Sequence, residues 1–149
     1  NEQACANGGI IPVVNSLEQW RRWAAAASAS GRALPAVLQF DTGMSRLGVS
    51  PEDRDELADL VKAESHIDVL FVMSHLASAD DVDSAQNGDQ RAEMETVAAE
   101  FSQFPVCFAT SGGIFLGTCD HGALVRPGVA RYGGAPTGGT ASPRALVVR

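Results

Sequence analysis

The chain alternates short, continuous apolar runs with longer stretches whose apolar residues recur at helical spacing. The apolar runs occupy residues 10–14, 35–40, 67–73, 106–110 and 124–125. Runs of this length without a regular apolar and polar alternation are typical of strands that are buried on both faces of a parallel sheet. We therefore predict five strands, each followed by a helix or a turn.

Helix signals lie between these runs. Ser16 and Gln19 form a capping-box pattern, which predicts a helix from Ser16 to about residue 29, ended by Gly31. Ser50 and Pro51, followed by acidic residues, predict the start of a second helix. A third helix is predicted around residues 90–104, after a polar stretch at 77–90 that lacks the ligand spacing of a calcium loop and that we interpret as solvated.

Polar residues follow every predicted strand, where parallel α/β folds bind their ligands. They are Asn15 and Ser16, then Asp41, Thr42 and Arg46, then Ser74 and His75, then Thr110 and Ser111, and finally Arg126. Contributions from all five units favour part of a (β/α)8 TIM-type barrel over a doubly wound sheet. No G-x-G-x-x-G follows any strand, which further disfavours a doubly wound nucleotide-binding domain.

An anion site is indicated near the last two strands. Ser111 lies in "TSGG", and the backbone amides of Gly128 and Val129 lie at the start of a predicted helix, where unpaired N–H groups attract phosphate. A helix cap at Ser111 and a plain turn at Gly128 would explain the pattern equally well. Arg126 could serve as a fixed cation or be an ordinary surface residue, and His75 could be functional or simply packed.

Composition narrows the function. The chain has 149 residues, 19% charged and 45% hydrophobic, with a net charge of −7. This predicts one domain, a small substrate and no nucleic-acid partner. The odd count of three cysteines favours a reducing compartment over a set of disulfide bonds. No apolar run has the length of a membrane span. The absence of an initiator Met suggests a fragment. We predict no metal site.

The Asp-Thr-Gly at residues 41–43 is also the signature of aspartic proteases. Those enzymes need two such aspartates in a fold that is almost entirely β. This chain has one copy and repeated helix signals, so the protease hypothesis is disfavoured.

Taken together, four ordered motifs resemble the pyridoxal-phosphate-dependent alanine racemases: "LQFDTGMSRLG", "FVMSHLASAD", "ATSGGIFLG" and "LVRPGVARYGG". The resemblance implies a cytoplasmic homodimeric isomerase that interconverts L- and D-alanine with pyridoxal 5'-phosphate and supplies D-alanine for peptidoglycan. It implies that Ser111, Gly128 and Val129 bind the cofactor phosphate and that Arg126 faces the pyridine nitrogen. His75 would support Arg126 and the ring, and Arg46 would approach the phenolic oxygen and the substrate carboxylate.

The resemblance also implies a division of the chain. Residues 1–134 would form the later part of the barrel, and residues 135–149 would lead into a C-terminal β domain, with a strand beginning near 146–148. The family's Schiff-base lysine and partner tyrosine have no counterpart here, because Lys62 lies in a predicted outer helix and Tyr132 follows the last strand. We therefore expect this chain by itself to be inactive. The alternative is a single-barrel pyridoxal-phosphate-binding protein without racemase activity.

Two departures from the family pattern concern the site. Gln39 stands where the family often has a lysine, commonly carbamylated, and Thr110 stands where asparagine is usual. A neutral amide at Gln39 predicts weaker holding of Arg46 and leaves open the preference among small amino acids.

Overall fold

The computed structural model describes residues 2–117 and 120–134, which form a five-stranded parallel sheet with helices against one face. In chain order the elements are α1 (Glu2–Asn7), β1 (Val13–Val14), α2 (Leu17–Ser30), β2 (Leu34–Gln39), a 3₁₀ turn (Pro51–Asp53), α3 (Arg54–Ala63), β3 (Ile67–Met73), α4 (Ala85–Glu100), β4 (Val106–Thr110), α5 (Ser111–Leu116), β5 (Leu124–Arg126) and a 3₁₀ helix (Val129–Tyr132).

The strands follow one another in the sheet in the order of the sequence, β1-β2-β3-β4-β5, and every neighbouring pair is parallel. A doubly wound sheet reverses its strand order at a switch point, whereas a barrel adds each new strand beside the last. The consecutive order therefore fits successive units of a barrel, as predicted.

The first strand is shorter than predicted, because only Val13 and Val14 pair with β2. The helix that follows is capped at both ends as the sequence indicates. Ser16 Oγ accepts a hydrogen bond from the Gln19 amide at 3.2 Å, and Gln19 Oε1 accepts one from the Asn15 amide at 2.7 Å. Gly31 ends the helix in the left-handed conformation with a φ of 64°.

The predicted start of α4 is wrong. The helix spans Ala85–Glu100, so residues 85–90 are helical rather than part of a solvated loop. The first turns carry Asn87 and Gln90, both buried and hydrogen-bonded to loops that follow the strands. A hydropathy pattern assigns such amides to solvent and therefore misses a helix whose buried face is polar at one end.

Most of the core lies between the sheet and the helices. Strand residues such as Leu38 and Val72 pack against helix residues such as Trp20, Leu57 and Val97 in one buried cluster. Val37, Met73 and Cys107 form a second, smaller buried cluster, and Leu70 and Phe71 pack against this second cluster. The fold thus directs its helices to one side of the strands.

Cys5 and Cys107 are free thiols. Cys119 and the predicted strand near residues 146–148 lie outside the described residues. The division of the chain at residue 134 lies at the end of the described part as well. Over the described ranges, no helix is both long and apolar enough to cross a membrane.

Candidate functional site

A cleft of about 420 Å³ opens where β3, β4 and β5 end. Its lining combines five of the predicted site residues with the main chain that follows the strands. The lining residues are His75, Leu76, Ala77, Ala79, Asp80, Thr110, Ser111, Gly112, Arg126, Gly128 and Val129. The carboxyl ends of parallel strands meet at one edge of a sheet, so this convergence follows from the topology.

Arg126, the last residue of β5, is half-buried and fixed by backbone carbonyls of β4 and of the segment that follows β3. Its Nη2 donates to the carbonyl of Ser74, and also to the carbonyl of Phe108 at 3.3 Å. Its Nε is buried and has no hydrogen-bond partner among the described residues. A buried donor without a partner is costly, so this atom points to an acceptor that a ligand would supply.

Ser111, directly after β4, is hydrogen-bonded to the segment that follows β5. Its Oγ accepts hydrogen bonds from the amides of Gly128 at 2.8 Å and Ala130 at 3.2 Å. Since the hydroxyl oxygen is the acceptor in both, its proton remains available to donate to an anion. Ser111 and Gly128 are thus brought together as predicted, while Ala130 was missed, although its amide lies in the same first turn as that of Val129.

A glycine allows this corner to pack closely. A Cβ on Gly112 would lie 2.6 Å from the Cβ of Ala79. No side chain fits at that distance, so the turn after β4 can approach the loop after β3 only with glycine at this position. The small residues of "TSGG" therefore shape the cleft.

His75 follows β3 and is half-buried in the cleft. Burial lowers its pKa below the ordinary value of 6.5, and the positive charges of Arg126 and Arg46 lower the pKa further. The imidazole is therefore neutral at neutral pH. Among the described residues no hydrogen bond joins His75 to Arg126, so the two side chains interact through the charge of the guanidinium, which lowers the pKa of His75.

Arg46 lies in the loop between β2 and α3 and its side chain is exposed. Its positive charge lowers the pKa of His75, less than burial and Arg126 do, and its side chain does not line the cleft. The loop is shaped by Asp41, whose Oδ1 accepts hydrogen bonds from the amides of Gly43 at 2.9 Å and Ser45 at 3.0 Å. The aspartate that suggests a protease therefore has a structural role.

Gln39, at the end of β2, holds the same loop. Its Nε2 donates to the carbonyl of Leu47 at 3.3 Å, so the contact is made to the residue after Arg46. Within the described residues, Arg46 itself makes no hydrogen bond or ion pair. The structure places the amide of Gln39 on the backbone of the loop rather than on the guanidinium.

Two residues that sequence analysis set aside remain outside the cleft. Lys62, the sole lysine of the chain, is exposed on α3 and forms an ion pair with Asp59 at 3.5 Å. Tyr132 is 90% exposed in the 3₁₀ helix after β5. Neither lines the cleft beside Arg126.

The sequence matches a known protein family and several of its members. The family model "Alanine racemase, N-terminal domain" matches residues 1–136. The protein "Alanine racemase, catabolic" of Rhizobium johnstonii is 59% identical over 99% of this chain and 39% of its own length. The protein of the same name from Agrobacterium fabrum is 50% identical over 100% of this chain and 38% of its own length.

A solved structure shares the fold. The crystal structure of alanine racemase from Bartonella henselae with covalently bound pyridoxal phosphate aligns with a TM-score of 0.89 and 36% identity, over 95% of this chain and 41% of that one. The interpretation as part of an α/β barrel is therefore confirmed. The chain spans about two fifths of the length of the relatives that it matches.

Proposed function

Because the chain belongs to the alanine racemase family, through that family's N-terminal domain, we propose that it supplies the cofactor-binding side of a pyridoxal-phosphate-dependent alanine racemase. The reaction is the interconversion of L- and D-alanine. The observation that carries the proposal is the arrangement of Arg126 beside Ser111 and Gly128 in one cleft.

The residues fit the cofactor on two counts. The phosphate of pyridoxal 5'-phosphate would meet the Ser111 hydroxyl and the amide of Val129, where nothing on Gly128 fills the space in front of Ser111. The amide of Gly128 donates to Ser111 Oγ and would orient that hydroxyl toward the phosphate. The pyridine nitrogen would accept a hydrogen bond from the Nε of Arg126, the buried donor that lacks a partner among the described residues. These are the two polar ends of the cofactor.

When bound, pyridoxal phosphate supplies an electron sink that acidifies the α-hydrogen of an amino acid. Arg126 keeps its proton, since a guanidinium has a pKa above about 12. It would therefore donate a hydrogen bond to the ring nitrogen without protonating it, which would limit the electron sink. This restraint would favour racemisation over side reactions such as transamination.

His75 and Arg46 complete the proposed machinery. Neutral His75 packs beside Arg126 without adding a second positive charge, because its pKa is lowered by burial and by the two arginines. Arg46, which makes no hydrogen bond or ion pair with the described residues, would approach the phenolic oxygen and the carboxylate of alanine. We propose a cytoplasmic homodimer for the working enzyme.

The test uses the full-length polypeptide that carries this sequence. With pyridoxal phosphate and L-alanine we expect D-alanine to form, followed by circular dichroism, and the reverse reaction from D-alanine. Binding of the cofactor without racemisation in either direction would instead support the single-barrel binding protein. A sedimentation experiment that shows only monomers would contradict the dimer.

The lysine assignment has its own test. When these 149 residues are incubated with an equimolar amount of pyridoxal phosphate and reduced with borohydride, we expect no stoichiometric adduct on Lys62, because that side chain lies on α3 outside the cleft. Mass spectrometry of the peptide that contains Lys62 measures this. A stoichiometric adduct there would overturn the assignment.

Two physiological uses remain to be separated. We propose D-alanine supply for peptidoglycan, while the catabolic names of the Rhizobium and Agrobacterium relatives favour alanine breakdown. A deletion strain that needs D-alanine for growth supports the first use. A strain that grows without it but fails on alanine as nutrient supports the second.

A further inference from the structure

Helix α4 places a fully buried amide against the loops that carry the site. Gln90 is 0% exposed, and its side-chain hydrogen bonds go to two segments of the chain. Its Nε2 donates to the carbonyl of His75 at 2.9 Å and to Thr42 Oγ1 at 3.2 Å. Its Oε1 accepts from the amide of Ala77 at 2.8 Å. The side chain thus brackets His75 and joins the loops after β2 and β3.

The same network reaches Arg126. Thr42 Oγ1 lies 2.8 Å from Ser74 Oγ, and Ser74 Oγ donates to the carbonyl of Phe40 at 2.7 Å. The carbonyl of Ser74 accepts the hydrogen bond from Arg126 Nη2. Gln90 therefore holds the carbonyl of His75, while Arg126 is anchored on the carbonyl of the residue immediately before it.

Packing alone does not require an amide at this position. Met94 and Val97, further along α4, fill their buried positions with apolar side chains that belong to the main core. An apolar residue at position 90 would also pack, but it would leave the carbonyl of His75 and the amide of Ala77 buried without Gln90 as their partner. What Gln90 adds is the fixed course of residues 74–77.

We propose that Gln90 is a positioning residue of the cofactor site, which fixes the main chain around His75 and thereby the anchor of Arg126. The inference rests on the proposed function, since its consequence concerns binding of pyridoxal phosphate. Gln90 does not reach the cleft itself. It acts through His75, Ser74 and Thr42.

The test compares two substitutions in α4 of the full-length polypeptide. Gln90→Met keeps the length of the side chain and removes its three hydrogen bonds. Asn87→Leu is the matched control, because Asn87 is also buried, and its amide donates at 2.8 Å to the carbonyl of Asp81 instead. Hydrogen exchange along the chain and titration with pyridoxal phosphate are measured for both variants.

We expect Gln90→Met to speed amide exchange in residues 74–79 selectively and to weaken pyridoxal phosphate binding by about tenfold. The catalytic rate should fall by about 10–100-fold with a smaller change in KM for alanine, because a displaced Arg126 and His75 misalign the reacting centre. Asn87→Leu should loosen residues 80–84 and leave cofactor binding within about twofold of wild type.

Gln90→Glu keeps the protein testable if the methionine variant fails to fold. Its carboxyl keeps an acceptor for the amide of Ala77, so we expect an effect between wild type and Gln90→Met. Equal cofactor affinity in wild type and both Gln90 variants would overturn the proposal, as would faster exchange spread evenly over the chain. If the wild type binds no pyridoxal phosphate, the proposed function fails, while selective loosening of residues 74–79 still supports the loop-fixing step.

Discussion

Arg126 and Arg46 both act on His75, but the fold holds them in opposite ways. Arg126 is half-buried and anchored on the carbonyls of Ser74 and Phe108. Arg46 is exposed, and in the part of the chain that the structure describes it makes no hydrogen bond or ion pair. The group proposed to face the cofactor is thus preorganised, while the group proposed to meet the substrate is left to be ordered by a ligand.

The segments around the two arginines differ in the same way. On the side of Arg126, Ser111 ties the end of β4 to the turn after β5 through two amides. On the side of Arg46, Asp41 and Gln39 bind the backbone of the loop and leave the guanidinium unattached. A fold can fix a loop without fixing the side chain at its tip, and preorganisation is concentrated where the cofactor would bind.

The largest effect on this difference between the two arginines is expected when the anchored one, Arg126, is replaced. Arg126→Gln should lower kcat for racemisation by about 10²–10³-fold, because a preorganised charged donor is lost. The measurement is initial rate by circular dichroism in the full-length polypeptide. The control is Arg131→Gln, an exposed arginine in the following 3₁₀ helix, for which we expect wild-type rates. Similar losses in both variants would refute a special role for Arg126.

The loop that carries Arg46 can be destabilised by a substitution that strains its backbone. Gly48 has a φ of 125°, and an added Cβ would lie 2.4 Å from the Asp41 nitrogen. Gly48→Ala should therefore lower the free energy of unfolding by about 2–4 kcal/mol through strain and overlap.

Gly88 provides the matched control for this substitution. It lies in α4 with open space around the position of a Cβ, and Gly88→Ala should raise stability by about 0.5–1 kcal/mol. Urea denaturation measures both variants. Equal effects from the two glycines would show that the approach of Gly48 to Asp41 is unimportant.

A substitution at the proposed phosphate-binding end of the cleft should have a smaller effect, on cofactor affinity. Ser111→Ala removes the hydroxyl that would donate to the phosphate and leaves the amides of Gly128 and Ala130 without their acceptor. We expect pyridoxal phosphate to bind about tenfold more weakly, the equivalent of one hydrogen bond. Titration followed by absorbance measures the affinity. Ser102→Ala, at an exposed turn, should leave it unchanged.

The smallest expected effect is on the pKa of His75, which compares the electrostatic influence of the two arginines. The pKa of His75 is lowered first by burial, then by Arg126, then by Arg46. Arg46→Gln should therefore raise that pKa slightly while leaving it below 6.5, and Arg126→Gln should raise it more. An NMR titration of the His75 ring measures both shifts. A His75 that titrates above 6.5 in the wild type would contradict the electrostatics of the site.

The sign of the stability effect follows from this lowered pKa. Below pH 6.5 the unfolded chain binds a proton at His75 that the native state does not yet bind. Stability from this residue is therefore fully present above 6.5 and declines as the pH falls through 6.5 toward the lowered native value. Urea denaturation of His75→Gln, compared with wild type, should show a shallower loss of stability over that window.

Much of this architecture is readable in the sequence. The apolar runs gave β2 to β5 within about a residue, and the capping box and Gly31 set the bounds of α2. These signals are local, because a strand buried on both faces and a capped helix each need particular residues at particular positions. The predicted β1 begins too early, at residue 10 rather than at Val13, because the pairing of an edge strand depends on its neighbour.

The start of α4 shows where local signals fail. Gln90 and Asn87 are polar, so their pattern predicts a solvated loop, yet both are buried against residues distant in sequence. Ala130 was missed for a related reason, because only the turn after β5 brings its amide to Ser111. Hydrogen bonds between distant segments leave no periodic trace in the sequence.

The sequence by itself determined the alternation of strands and helices, the polar residues at the strand ends and the motifs that indicate the family. Only the tertiary structure decided which polar groups are satisfied. It shows that Asp41 shapes a turn, that Gln39 binds Leu47 rather than Arg46, and that the buried Nε of Arg126 has no partner among the described residues. The physical reason is that residue type fixes what a group can donate or accept, whereas burial and proximity decide which partner it receives.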